Sequence, residues 1–209
     1  IGPLSVMTIH IRNAPASLRA KITALCEETY RAHREASPQD WPGNYFDLAI
    51  KTFIDQAFTD ASGKALNESP NLFVAMNDGT FAGYYRLSDL PTDPETQYYA
   101  VEIQDIYVQP EFRGQGVARA MIEHAKGLAD THDWDSLDAT VSDWNVGSRS
   151  LFESEGFTVK SRKLGLGPDR AARDIPQPAT GQRFGPNDWF WLFVGAILMV
   201  SFLAAYLGR

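Results

Sequence analysis

The sequence predicts an α/β fold: a mixed, mostly antiparallel sheet flanked by helices, with one more helix set apart at the C-terminal end. Three observations carry this prediction. Short segments of alternating or continuous apolar character take turns along the chain with longer segments of helical spacing. One connection is a tight hairpin turn, which joins antiparallel strands, while others are helices, which allow parallel neighbours. The last apolar run is free of charge and stands beyond a Pro/Gly-rich stretch.

Taken in order, residues 7–12 alternate and read as a strand. Ala16 to Ala36 has helical spacing through Ile22, Leu25, Cys26, Thr29 and Tyr30, with Ser17 as cap and Pro38 as stop. The stretch SPQDWPGN reads as a loop. Tyr45 to Ala61 is a second helix, with Phe46, Ala49, Ile50, Phe53, Ile54 and Ala57 on its apolar side. Leu72 to Met76 and Thr80 to Leu87 form a hairpin around Asn77-Asp78-Gly79, a strong turn signal. Ser88 to Gln97 is a polar loop and Tyr98 to Val108 a long strand. Val117 to Asp130 is a helix entered through glycines, and Leu137 to Val141 a short strand. Asn145 to Glu155 is a helix and Phe157 to Leu166 a final strand.

The 209 residues are 44% apolar and 22% charged, enough for a core of ordinary size. A net charge of −7 argues against nucleic acid as a partner, because phosphate neutralisation needs a Lys/Arg surplus. The acidic balance is compatible with a cationic substrate. The single cysteine, Cys26, excludes an internal disulfide and reads as a buried core thiol. No secretory leader is recognisable in Ile1 to Val6, and Met7 is a plausible natural start.

Trp189 to Leu207 contains no charged residue. At about 1.5 Å per residue this run covers roughly 28 Å, close to the hydrocarbon thickness of a bilayer. Trp189 and Trp191 at one end and Tyr206 at the other suit an aromatic belt. Residues 189–207 are therefore expected to be a transmembrane helix in a lipid bilayer. Residues 167–188, with Pro168, Pro176, Pro178 and Pro186, read as an extended linker. Arg162, Lys163, Arg170, Arg173 and Arg183 precede the span and only Arg209 follows it. The positive-inside rule then expects a single-pass membrane protein with residues 7–166 as an N-terminal domain in the cytoplasm.

The most informative stretch is Ile106 to Ala120, where a strand ends at Val108, turns at Gln109-Pro110 and meets a helix through Arg113-Gly114-Gln115-Gly116-Val117-Ala118. Glycines there let a ligand approach the backbone closely. Free amides of a first helical turn, aided by the helix dipole, favour an anion such as a pyrophosphate. A dinucleotide fingerprint is excluded by Arg119 where glycine or alanine is required. A P-loop is excluded because Gly-Lys-Ser/Thr is absent. A bare helix cap stays open on this loop alone.

Downstream lies Asn145-Val-Gly-Ser148-Arg-Ser-Leu151-Phe152-Glu153-Ser-Glu155-Gly156-Phe157. It resembles the Asn-x-x-Ala-x-x-Leu-Tyr-Glu-x-x-Gly-Phe pattern of the GNAT N-acetyltransferases. The earlier loop resembles that family's Arg/Gln-x-x-Gly-x-Gly/Ala motif through Arg113, Gly116 and Ala118. The two are separated by one helix and one strand, as in that family. The resemblance covers roughly residues 7–166 and implies a GNAT-like sheet that binds acetyl-CoA as co-substrate.

In similar proteins the strand before the loop splays from its parallel neighbour and the pantetheine arm fills the gap. The resemblance thus implies pairing of that arm with the backbone of Ile106, Tyr107 and Val108. It places the pyrophosphate on amides of Arg113, Gly114, Gln115, Gly116, Val117 and Ala118. Asn145 would bond near the thioester, cap its helix, or both. Phe152 stands where relatives carry the tyrosine that protonates the leaving thiolate. A thiol pKa near 8.5 makes thiolate a tolerable leaving group without it.

Transfer to an amine needs a base, since an alkylammonium has a pKa near 10. Relatives place a Glu in the strand before the loop. In many relatives the residue before the Asp is that Glu; here it is Gln104, which cannot act as a base, and Glu102 and Asp105 are left as catalytic candidates or as solvated strand-edge residues. Their odd separation predicts opposite faces in a regular strand. The acceptor groove in relatives is lined by the loop between the first two helices, here with Asp40, Trp41 and Tyr45 as substrate residues; Trp41 reads equally as a core cap. The last strand of relatives, expected after residue 166, has no counterpart in GPDRAARDIPQP. Two functions follow: a membrane-anchored N-acetyltransferase acting on an amine acceptor, or a catalytically weak or inactive subunit docked to an integral membrane protein complex. Gly195, Ala196, Ser201, Ala204 and Ala205 would suit helix packing in such a complex.

Overall fold

A computed structural model describes residues 8–38, 50, 53–90 and 95–161. All of these belong to one compact unit of the chain. The expected linker 167–188, the expected span 189–207 and the acceptor-loop residues Asp40, Trp41 and Tyr45 lie outside the described residues. Among the described residues no helix is long and apolar enough to cross a membrane.

Among the described residues five strands form one sheet in sequential order: β1 (Ile9–Pro15), β2 (Glu68–Asn77), β3 (Thr80–Asp89), β4 (Ala100–Val108) and β5 (Ser136–Ala139). The first three pairings are antiparallel and β4–β5 is parallel, so the expected mixed sheet is borne out. The hairpin turns at Asp78 and Gly79, both at positive φ (47° and 78°), the backbone that an Asp-Gly pair favours.

Alternation along the strands sorts the core into two layers. Leu72, Val74, Phe81 and Tyr84 face α1 (Arg19–Ala36), packing on Ile22 and Cys26, on Ile54 within the helical turn at 53–57 and on Phe58 just after it. Phe73, Ala75, Tyr85, Leu87, Val101 and Ile103 face the other way, onto Val117, Met121, Ile122 and Ala125 of α2 (Val117–Thr131) and Phe152 of α3 (Val146–Ser154). Because both faces are covered, β2 and β3 read as nearly continuous apolar runs rather than alternating ones. Cys26 is fully buried and free, which raises its pKa to about 12 and fits a core thiol. The α2 and α3 helices are joined by Glu155, which accepts from Arg119 (2.7 Å) and Lys126 (3.1 Å).

Three expectations are corrected. Ser17 does not cap α1: Ala16–Leu18 is a short 3-10 turn, and neither helical start has a side-chain cap. The helix expected over 45–61 has given way to a turn by Phe58, followed by a bridge between Thr59 and Ala65. Phe157 to Ser161 is not a strand. There the chain leaves α3 through Gly156 at φ 90°, and Lys160 donates to Ser136 and Asp138 on β5, holding this stretch by a side chain rather than by a backbone ladder.

Candidate active site

The site begins with an irregularity in β4. Arg86 pairs with Asp105 and Leu87 with Ile103, so Gln104 is an extra residue without a partner on β3. A bulge of this kind restarts the alternation of side chains. Glu102 pairs with Ser88 and Asp105 with Arg86, two positions on the same face of β3. Glu102 and Asp105 therefore share the α1 side of the sheet, against the opposite faces expected from their odd separation. The bulge also marks where the sheet divides. The β4–β5 ladder runs from Ala100–Ser136 to Ile103–Ala139 and stops, while β3 stays paired with β4 as far as Val108. Residues 104–108 thus present a β4 edge with no strand beside it among the described residues, where the expected donor arm would lie.

The loop after β4 fits an anion. Gly114 and Gly116 have φ of 73° and 81°, and a Cβ at either would meet no neighbouring atom. Strained backbone rather than lack of space is what demands glycine there. Gly116 is the N-cap of α2 and supplies no side-chain cap. Among the described residues the amides from Gly114 to Ala118 have no backbone acceptor, which leaves them available to a pyrophosphate. Arg113 turns back, its Nε donating to the Val108 carbonyl (3.1 Å) with its guanidinium near the Tyr107 ring. The Gln115 side chain also faces away from an incoming anion: its Nε2 donates to the Glu111 carbonyl (2.7 Å) and its Oε1 accepts from Asn77 Nδ2 (3.1 Å). Gln109 binds the hairpin at the Phe81 carbonyl and, through its own amide, at Ala82 (2.8 Å). The loop is therefore held from behind by β2 and β3.

Asn145 caps α3, its Oδ1 accepting from the Ser148 amide at 3.1 Å. Phe152 is buried and packs edge-on against Phe157 (5.0 Å), so the structure places it in the core with no hydroxyl to offer.

The two carboxylates sit in different surroundings. Asp105 is buried: its Oδ2 accepts from Arg86 Nε (3.4 Å), and the Tyr30 hydroxyl bonds to it. Burial lifts its pKa above the usual carboxylate range; Arg86 opposes that lift, Glu102 adds to it and the Tyr30 bond opposes it. Arg86 is itself buried, with its guanidinium over the Phe53 ring. Glu102 is half-buried and accepts from Thr140 Oγ1 (2.5 Å), a residue just past the end of β5. Tyr30, Arg86, Thr140 and Asn77 were not singled out by motif. Only Arg86 carries a signal in the sequence, a lone cation in the apolar run of β3 that needs a buried anion.

Free amides at a helix mouth, an open strand edge beside them and two carboxylates where the sheet divides are the features that a CoA-dependent group-transfer domain needs. Residues 26–157 match the model of the acetyltransferase (GNAT) family, and the chain belongs to that family. The glycine loop and the open β4 edge have the form of a site for a CoA thioester. Thialysine N-epsilon-acetyltransferases of Bos taurus and Sus scrofa are each 33% identical over 27% of this chain and 39% of their own length. The chain thus spans about 39% of the length of the curated relatives it matches. A structural-genomics protein of Bacillus halodurans superposes with a TM-score of 0.61 at 21% identity, covering 76% of this chain and 99% of that one. The ribosomal-protein-alanine N-acetyltransferase of Brucella melitensis gives 0.55 at 20% identity, over 77% and 99% of the two chains. An aminoglycoside N-acetyltransferase in complex with CoA gives 0.54 at 17%, over 81% and 99%. These likenesses show the fold.

Proposed function

We propose that the chain is a membrane-anchored N-acetyltransferase that moves an acetyl group from acetyl-CoA to a primary alkylamine. The observation that carries this reading is the bulge at Gln104, which sets two carboxylates on one face where β4 and β5 part. The names of the thialysine acetyltransferase relatives support an alkylamine acceptor. Acetyl-CoA supplies a thioester carbonyl that an unprotonated amine attacks, forming the C–N bond and releasing the thiol. Glu102 is the base: it is the more accessible carboxylate, and it takes the amine proton directly or through one water. Asp105 is already engaged by Arg86 and Tyr30, so it orients and balances charge. Backbone amides at 114–118 hold the pyrophosphate, and Asn145 keeps α3 in register behind the thioester.

The uncharged run 189–207 with its aromatic ends supports the anchor, and the basic residues before it support a cytoplasmic domain. Vesicle flotation of the full chain against a chain ending at residue 188 tests this; equal flotation overturns it.

Acetyl transfer to thialysine tests the chemistry. Glu102→Gln should lower kcat about 100-fold with little change in the acetyl-CoA KM. Unchanged kcat would remove Glu102 from the role. The second reading, a catalytically weak or inactive subunit docked to a membrane protein complex, is favoured by the missing hydroxyl at Phe152. A chain that binds acetyl-CoA, acetylates no primary amine and copurifies with such a complex would establish it.

A further inference from the structure

A circuit of contacts links the two carboxylates through α1 and the connection after β5. Glu102 bonds to Thr140, and four residues further along the same connection lies Trp144. Trp144 meets the His33 ring edge-on (4.8 Å between centroids, 75° between planes). His33 lies one helical turn from Tyr30 on α1 (6.4 Å between centroids), and Tyr30 bonds back to Asp105 beside Glu102. The circuit thus joins α1, β4 and the 140–145 connection through side chains of two kinds, carboxylates on one side and aromatic rings on the other.

Trp144 is the unusual member. It is a large apolar ring left 40% exposed, while the rings of Tyr84, Tyr85 and Phe58 are almost completely buried. Solvation alone disfavours such exposure, yet an indole face is the best π-surface for a cation. Burial lowers the pKa of the adjacent His33, favouring its neutral form, so it adds no repelling charge.

We propose that Trp144, braced by His33, is a specificity-determining wall of the acceptor site and selects primary alkylammonium ions. This rests on the acetyltransferase reading above. The ammonium would be attracted by the indole face and by Glu102, then give its proton to Glu102 before attack. A neutral ligand of the same shape gains neither contact. Aliphatic bulk at position 144 would keep the apolar contact and lose the cation–π part, so Leu and Phe separate the two contributions.

The test is calorimetric titration of the full chain saturated with CoA, using pentylammonium and, as its neutral counterpart, pentanol. Pentylammonium should bind and pentanol should not. W144L should weaken pentylammonium binding about tenfold and W144F by no more than about twofold, with CoA affinity unchanged in both. Equal binding by W144L, a preference for pentanol, or CoA binding without pentylammonium binding would each overturn the proposal and leave the donor site standing. Failure to bind CoA would instead remove the acetyltransferase reading, and the acceptor wall with it.

Discussion

The proposed donor side of this protein is made of backbone and the proposed acceptor side of side chains. At the donor side the working groups are the amides of Gly114 to Ala118 and the edge of β4 from Gln104 to Val108, while the side chains of Arg113 and Gln115 are turned back onto Val108 and Glu111. At the acceptor side Glu102, Asp105, Arg86, Tyr30 and Trp144 come from four separate elements and meet through ion pairs, hydrogen bonds and ring contacts. A backbone site tolerates most changes of side chain but almost none of conformation. A side-chain site behaves the other way round: its folding energy and its chemistry depend on the same few pairs.

Gly116→Glu should separate the two sides most sharply. It forces a side chain to φ 81° and sets a negative charge where a pyrophosphate is expected, so acetyl-CoA affinity should fall about 100-fold or more. Calorimetric titration measures this, and near-normal affinity would mean the loop is a helix cap and nothing more. Arg86→Met probes the acceptor side. It strands the buried Asp105 carboxylate and should cost about 3 kcal/mol in urea unfolding, most of it recovered in the Arg86→Met/Asp105→Leu double variant. No recovery would mean that Arg86 acts by packing on Phe53 rather than by pairing.

Asn77→Ala sharpens the boundary between the two kinds of site, because it removes a side chain that holds a backbone loop. Asn77 is buried and donates to Gln115, so its loss should weaken acetyl-CoA binding about fivefold while kcat at saturation stays unchanged. Equal losses in kcat would place Asn77 in the chemistry.

The smallest effect is expected at Lys160. Burial tends to raise the Asp138 pKa, but hydrogen bonds from Lys160 and Ser136 outweigh it and hold the carboxyl below its ordinary value. A carboxyl held low contributes stability above its unfolded pKa and loses that contribution as pH falls through the folded one. Lys160→Met should therefore cost about 0.5 kcal/mol near neutrality, the two groups being partly exposed, and the difference should vanish in acid. A pH-independent difference would point to packing.

The donor loop was legible because its demands are local. Two glycines at positive φ, a strand before them and a helix after them leave a mark within ten residues, and the second motif lies one helix and one strand further on. The strands and helices were legible for the same reason, each from its own periodicity. The face shared by Glu102 and Asp105 was not. Counting along a regular strand places them on opposite sides, and Gln104 carries no glycine or proline to announce a bulge. Its position follows from the pairing with β3, a tertiary fact. The circuit from Tyr30 through Trp144 was likewise hidden, because residues 30, 86, 102 and 144 have no fixed spacing in the chain. Phe157 to Leu166 misled by composition: Gly156 and the side-chain hold of Lys160 keep 157–161 out of the sheet.

The open edge of β4 has a consequence for the lifetime of the protein. Among the described residues five residues of strand backbone have no neighbour, and such an edge is a template for any extended chain, including that of another unfolded molecule. A donor lying along that edge, as proposed, would occupy the template and bind only the folded state. At a concentration 100 times its dissociation constant it adds about 2.7 kcal/mol to the free energy of unfolding. The supply of acetyl-CoA would then govern how much of this protein survives as well as how fast it works, and starvation of the donor would first be read as aggregation along β4.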